Sequence, residues 1–247
     1  MDKSVEDYLA FADERTRAFL ASPTTGLFEL TKEIDALIRD MCGCVDVNRP
    51  FPLFLGMNAY YLFLASVRSA ISGHVSGVFP LARAGLESAC YAFLMKDDSA
   101  LESIWTNRDR NDQQRTACRR AFTSAVKDAG QKLRSVQPDI GNYLQELYDA
   151  AITFGAHPNF MAVVPHLDVR EHEDGKHWVV SFTCSYGEDS FEVKRALIAC
   201  IEYGIMIAYM IAQLASTAAD VDEVSARFQL VNDKKNAAAD ALHNDPA

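Results

Sequence analysis

Apolar residues recur along most of this chain at helical rather than strand spacing. Ser4 with Asp7 predicts a capped start to a first helix carrying Tyr8, Leu9, Ala12, Phe19 and Leu20. A second helix is expected from about Gly26 to Met41. Leu27, Leu30, Ile34, Leu37, Ile38 and Met41 fall on one face of it, and Gly43 is its stop. Pro50 and Pro52 mark a connection. Residues 54–76 form a strongly apolar helix whose small residues Ser66, Ser69, Ala70 and Gly73 let another helix come close. Gly77 and Pro80 interrupt it, and a further helix covers roughly 80–95. Ser99 with Glu102 predicts a capping box for a short helix bearing Trp105. Residues 111–134 read as one more polar helix, with Cys118, Phe122, Ala125, Val126, Ala129 and Leu133 as its stripe. Pro138 opens the next, with Ile140, Tyr143, Leu144, Leu147, Tyr148 and Ile152 facing inward.

The pattern then changes. Val163–Arg170 and Lys176–Ser185 have strand character, and Asp174-Gly175 between them is a hairpin signal. Helix resumes near Ser190. Ala196, Cys200, Gly204, Ala208, Ala212 and Ser216 recur every fourth residue, a ridge of small side chains suited to the small-residue face of 54–76. Asp220 and Glu223 cap a last helix, and the tail KKNAAADALHNDPA shows no apolar periodicity, so it is expected to fray. The predicted fold class is mainly α: a single-domain helical bundle over residues 1–219 with a β-hairpin insertion at 163–185, then a C-terminal helix and flexible tail over 220–247.

Composition narrows the environment. The chain has 247 residues, 49% of them hydrophobic, enough for a substantial core. A net charge of −10 disfavours wholesale wrapping by nucleic acid or an anionic membrane. MDKSVEDYLA has no apolar run behind a basic start, so no signal peptide is expected. The six cysteines, Cys42, Cys44, Cys90, Cys118, Cys184 and Cys200, read as reduced thiols of a cytoplasmic protein. Between Arg195 and Asp220 the only formal charge is Glu202. That stretch is long enough to span a bilayer, yet a carboxylate in its middle favours a buried central helix, and no membrane association is expected.

Several groups of residues carry candidate chemistry. His157, in FGAHPNF, sits at a turn where a histidine can be exposed and serve as acid or base, or simply close its own helix. Arg83 and Glu87, four apart, share a helix face. With Arg68 and Glu202 on other apolar helices they suggest a polar cluster inside the bundle. Such a cluster is either a phosphate or carboxylate pocket or an internal salt-bridge network that sets helix register. The expected ligand-binding residues are therefore Arg68, Arg83, Glu87, Glu202 and Asn159, and the expected catalytic ones His157, Arg83 and Glu87. From Arg108 to Arg134 eight basic residues face three acidic ones, as in a nucleic-acid surface or the solvated face of an amphipathic helix. The lone Cys42-x-Cys44 and the histidines His166, His172 and His177 near the hairpin do not assemble a metal site by spacing. No Gly-rich phosphate loop and no nucleophile elbow is present, so neither metal nor cofactor is expected.

The helix LARAGLESACYAFL, the Trp-bearing polar helix after it and the helix ending in GAHPN resemble an uncharacterised group of bacterial helical proteins linked to the HEPN-like superfamily. The resemblance covers about residues 55–215. It implies a helical bundle, a homodimer and, for the nuclease members, metal-independent RNA cleavage in toxin or phage-defence systems. Those members place an Arg before a His with four to six residues between them. Here Ala150, Ala151 and Ile152 stand at those positions before His157, so the cationic partner would come from Arg83 or Arg68. Two functions are expected: a module that binds a small molecule or protein partner, or an RNase using His157 and Arg83.

Overall fold

The computed structural model describes residues 4–21, 26–45, 50–156, 160–172, 175–215 and 221–244. Helix α1 (Val5–Ala21) opens on the expected capping box, with the Asp7 amide donating to Ser4 Oγ at 3.2 Å and the Ser4 amide to Asp7 Oδ2 at 3.0 Å. Helix α2 (Gly26–Gly43) buries Leu27, Leu30, Ile34, Leu37, Ile38 and Met41, the predicted stripe. Helix α3 (Pro50–Ile71) turns through Gly73 and a 3₁₀ turn (Val75–Gly77) into α4 (Val78–Met95). Gly73 has a φ of +80°, and its carbonyl accepts from the Tyr186 amide, so a side chain there would be strained. Then come α5 (Ser99–Thr106), α6 (Asp112–Phe122), α7 (Ala125–Arg134) and α8 (Pro138–Ala151), which ends in a kinked segment (Ile152–Ala156) with non-helical backbone at Gly155. A one-turn helix α9 (Phe160–Val163) and a 3₁₀ turn lead to strands β1 (Leu167–Glu171) and β2 (Trp178–Phe182). Helices α10 (Phe191–Ala212) and α11 (Val221–Asn244) complete the chain.

The architecture is mainly α, with one small hairpin, as the periodicity implies. Helix α10 is the axis: it packs against α2, α3, α4, α8 and α11, and Tyr203, Leu197, Ile201 and Met206 on it are sealed from solvent. The Tyr203 hydroxyl, buried with its ring, donates to the Leu147 carbonyl at 2.6 Å. By length and composition both α3 and α10 could cross a bilayer; α10 is instead the central helix, 78% of its most apolar window covered by protein.

The small-residue ridge of α10 has a more varied partner than expected. Gly204 accommodates Ile34 of α2 and the large ring of Phe63 of α3, while Cys200 meets Ser66. The close small-to-small approach of α3 is made with α4, where Gly85 lies over the Ala59 carbonyl.

Four local expectations change. Residues 111–134 are two helices, broken at Thr123–Ser124, so that Phe122 stacks on Tyr91 while α7 packs on α8. The cap of α5 is Asp98, whose carboxylate accepts from the amides of Ala100 and Leu101, rather than Ser99. The strands are shorter than 163–185, because residues 160–166 are still helical. The tail does not fray at Lys234: α11 runs to Asn244, and Ala238, Ala239 and Leu242 pack against the core. Asp174 of the hairpin turn and Asp220 lie outside the described residues, and Gly175 takes the positive φ of +63° that such a turn needs.

Candidate functional site

The residues singled out as one polar cluster occupy three separate places. Arg83 and Glu87 form a triangle of hydrogen bonds with Tyr148 of α8. Arg83 Nε donates to Glu87 Oε1 at 2.9 Å, Arg83 Nη2 to the Tyr148 hydroxyl at 3.0 Å, and that hydroxyl to Glu87 Oε1 at 3.1 Å. The guanidinium also lies 5.1 Å from the centre of the Tyr148 ring. Burial and then the Glu87 carboxylate push the Tyr148 phenol above its ordinary value. These bonds join α4 to α8. Arg68 instead reaches across to α1 and bonds Asp13 at 2.7 Å, both side chains exposed. Glu202 pairs with Lys235 of α11 at 3.3 Å. His157 and Asn159 lie outside the described residues.

Lys235, the partner of Glu202, lines a concavity. A cleft of about 950 Å³ lies between α11 on one side and α7, α8 and the ends of α4 and α10 on the other. Its apolar and aromatic wall residues include Met41, Phe93, Leu133, Ile140, Ile205, Met206, Tyr209 and Phe228. Polar and charged side chains make up about half of the lining: Gln137, Asp139, Gln213, Gln229, Asn232, Lys235 and Asn236 among them, with Lys96, Lys132 and Asp97 together at one corner. That volume is at the upper end of the roughly 300–1,000 Å³ usual for small-molecule sites, and the lining is amphipathic.

Each wall is held in place by a specific contact. The Tyr209 hydroxyl donates to Gln137 Oε1 at 2.5 Å, tying α10 to the start of α8. Phe228 meets the Tyr209 ring edge-on at 5.8 Å between centroids. Helix α11 is fastened to α2 by Arg227–Asp40 at 2.8 Å and Lys234–Glu33 at 2.7 Å. Lys235 itself is only 7% exposed, and its ammonium lies 5.9 Å from the centre of the Tyr143 ring as well as against Glu202. The Tyr143 hydroxyl is sealed from solvent and lacks a hydrogen-bond partner of normal geometry among the described residues. Burial first, and then the neighbouring Glu202 carboxylate, push that phenol far above its ordinary value, so it stays a donor. At the far corner Lys132 and Lys96 approach Asp97 at 3.4 and 3.9 Å, and both ammonium groups lie within 5.4 Å of the Phe93 ring centre.

Lys235 was the residue that sequence reasoning missed. The signal was present: Phe228, Val231, Lys235, Ala238, Ala239 and Leu242 share one helical stripe. Alanine and lysine contribute so little hydropathy that the stripe is invisible without its partner surface.

The remaining candidates take simple forms. In the basic run Arg115 pairs with Asp112, Arg108 with Asp109 and Lys132 with Asp97, while Arg119, Arg120 and Lys127 are solvated on α6 and α7. His166 shares a 2.6 Å hydrogen bond with the Tyr186 hydroxyl, and His172 faces His177 across the hairpin. Among the described residues no three metal-ligating side chains come together, and the six cysteines are free thiols. Compared with protein-family models, curated proteins and solved structures, the chain matches none.

Proposed function

We propose that this protein is a cytoplasmic binding module whose cleft between α11 and the α7–α8 pair takes one amphipathic small molecule with an apolar or aromatic body and an acidic end. The observation that carries the reading is the cleft itself, about 950 Å³ with Tyr143, Tyr209, Phe228 and Phe93 in its walls. An aromatic or aliphatic body replaces water along those walls. The acidic end suits the corner where Lys132 and Lys96 share Asp97. Of the residues expected from the sequence to bind a ligand, Glu202 belongs to this site through Lys235.

An anilinonaphthalene sulfonate, an aromatic anion that fluoresces when it leaves water, is the probe. The protein is expected to bind it, and Asn232→Trp, which fills the cleft from α11, to weaken binding at least about tenfold, near 1.4 kcal/mol. Equal binding by Asn232→Trp and the unaltered protein sinks the proposal.

One feature favours the nuclease reading. The kinked segment Ile152–Ala156 leads into His157 and packs on α4 one turn before Arg83, with the Phe154 and Phe79 rings 5.6 Å apart. RNA cleavage in the presence of chelator, compared between the unaltered protein and His157→Ala, tests it. The same background from both leaves the binding reading alone.

A further inference from the structure

We infer that the hairpin is a dimerisation arm: the free edge of β1 pairs antiparallel with β1 of a second copy, with the two-fold axis at Val169. This goes beyond the ligand reading and rests on different residues.

The hairpin is an amphipathic ribbon whose apolar side is uncovered. Its register pairs Leu167 with Phe182, Val169 with Val180 and Glu171 with Trp178, so those six residues share one face. Asp168 and Arg170 lie on the other, opposite Ser181 and Val179. On the apolar face Val169 is 56% exposed, Trp178 68%, Val180 61% and Phe182 46%. An isolated two-stranded ribbon is marginal in water, whereas three or more strands with an apolar face are stable. The ribbon therefore lacks strands that the rest of the described chain does not supply.

The backbone says which edge is open and in what register. The Thr183 amide donates to the His166 carbonyl, and the His172 amide to the His177 carbonyl, both at 2.8 Å. Even-numbered residues of β1 thus point their amides and carbonyls toward β2. By the antiparallel alternation, Leu167, Val169 and Glu171 point theirs to the outer edge, which carries no strand. A second β1 centred on the same Val169 meets those groups with its own, as a hydrogen-bonded pair at Val169 flanked by two Leu167–Glu171 pairs.

The side chains select a second copy over an unrelated strand. Centring on Val169 sets Asp168 of one copy directly opposite Arg170 of the other, twice, and brings no like charges opposite within the strand. On the apolar face it lines up Val180, Val169 and the same two residues of the partner into a continuous ladder across four strands. Charges on an exposed edge ordinarily discourage pairing. Here they are self-complementary in one register, so they permit the second copy and disfavour slipped alternatives.

The test is molar mass by light scattering on the full chain, in reductant so that the exposed Cys184 cannot cross-link. The unaltered protein is expected at twice the chain mass. Arg170→Asp alone opposes carboxylates, and Asp168→Arg alone opposes guanidinium groups. Each is expected to raise the dimer dissociation constant at least tenfold. The double exchange Asp168→Arg with Arg170→Asp is expected to restore the dimer. Val169→Pro removes an amide that the hairpin itself does not use and is expected to give monomer. A monomeric unaltered protein overturns the proposal, and so does a dimer that survives both single reversals or fails to return in the double exchange.

Discussion

Lys235 and Glu202 show how unequal the two halves of one ion pair can be. The lysine side chain is 9% exposed, while the Glu202 side chain keeps 31% of its surface in contact with solvent. Removing the carboxylate strands an ammonium that has little water left, and removing the ammonium strands a carboxylate that can still hydrate. Glu202→Gln is therefore expected to destabilise the fold by about 2–3 kcal/mol in urea unfolding. Lys235→Met, whose flexible apolar chain fills the same volume, is expected to cost less than half of that. Equal losses would mean that the pair is desolvated symmetrically. At this scale the sequence pointed to the carboxylate alone, as the single charge between Arg195 and Asp220, and the lysine that meets it lies 33 residues away.

At the scale of elements, packing overrides propensity. Gly204 sits in the middle of α10, where alanine would ordinarily gain about 1 kcal/mol. A Cβ there would lie 2.6 Å from Ile34 Cγ2 and 2.7 Å from Phe63 Cε2, too close for either. Overpacking of this kind costs about 1–3 kcal/mol, so Gly204→Ala is expected to lower stability by up to about 2 kcal/mol net. A rise in Tm would show that the α2–α3 wall can yield. Helix α11 is held differently. Two of its attachments, Arg227–Asp40 and Lys234–Glu33, are part-exposed ion pairs that salt screens. Its amides are expected to exchange before those of α10, and faster still at high ionic strength. Protection equal to that of α10 at both salt concentrations would contradict this. The split of residues 111–134 has the same origin. The apolar stripe there is continuous in sequence, but Phe122 belongs to Tyr91 and Leu133 to the α8 side, and one straight rod cannot serve both.

For the whole molecule, pH reports on half-buried histidines. Burial holds His74 below its ordinary pKa, and its Nε2 is sealed without a partner among the described residues. Burial first, and then Arg195, hold His166 below as well. A histidine with a depressed folded-state pKa is neutral when folded and takes up a proton more readily when unfolded. Its contribution is present above the unfolded pKa near 6.5 and is lost as pH falls toward the folded value. Stability is therefore expected to fall between pH 7 and pH 5, and His74→Gln to flatten that slope. A slope unchanged by His74→Gln would place the titration elsewhere.

Helical class, the faces of α2 and α8, the capped start of α1 and the hairpin were all legible in the chain, because each depends on residues a few positions apart that share a period. The Arg83–Glu87 pair was legible for the same reason. What the tertiary structure alone decided is which distant residues those faces meet. It separated Arg68, Arg83 and Glu202 into three unrelated contacts, brought Lys235 to Glu202, and opened a cleft where α11 leans on α2 and α10 without closing on α8. A cleft is space left between elements after they pack. No local spacing records it, since it follows from the crossing of helices far apart in sequence rather than from the residues that finally line it.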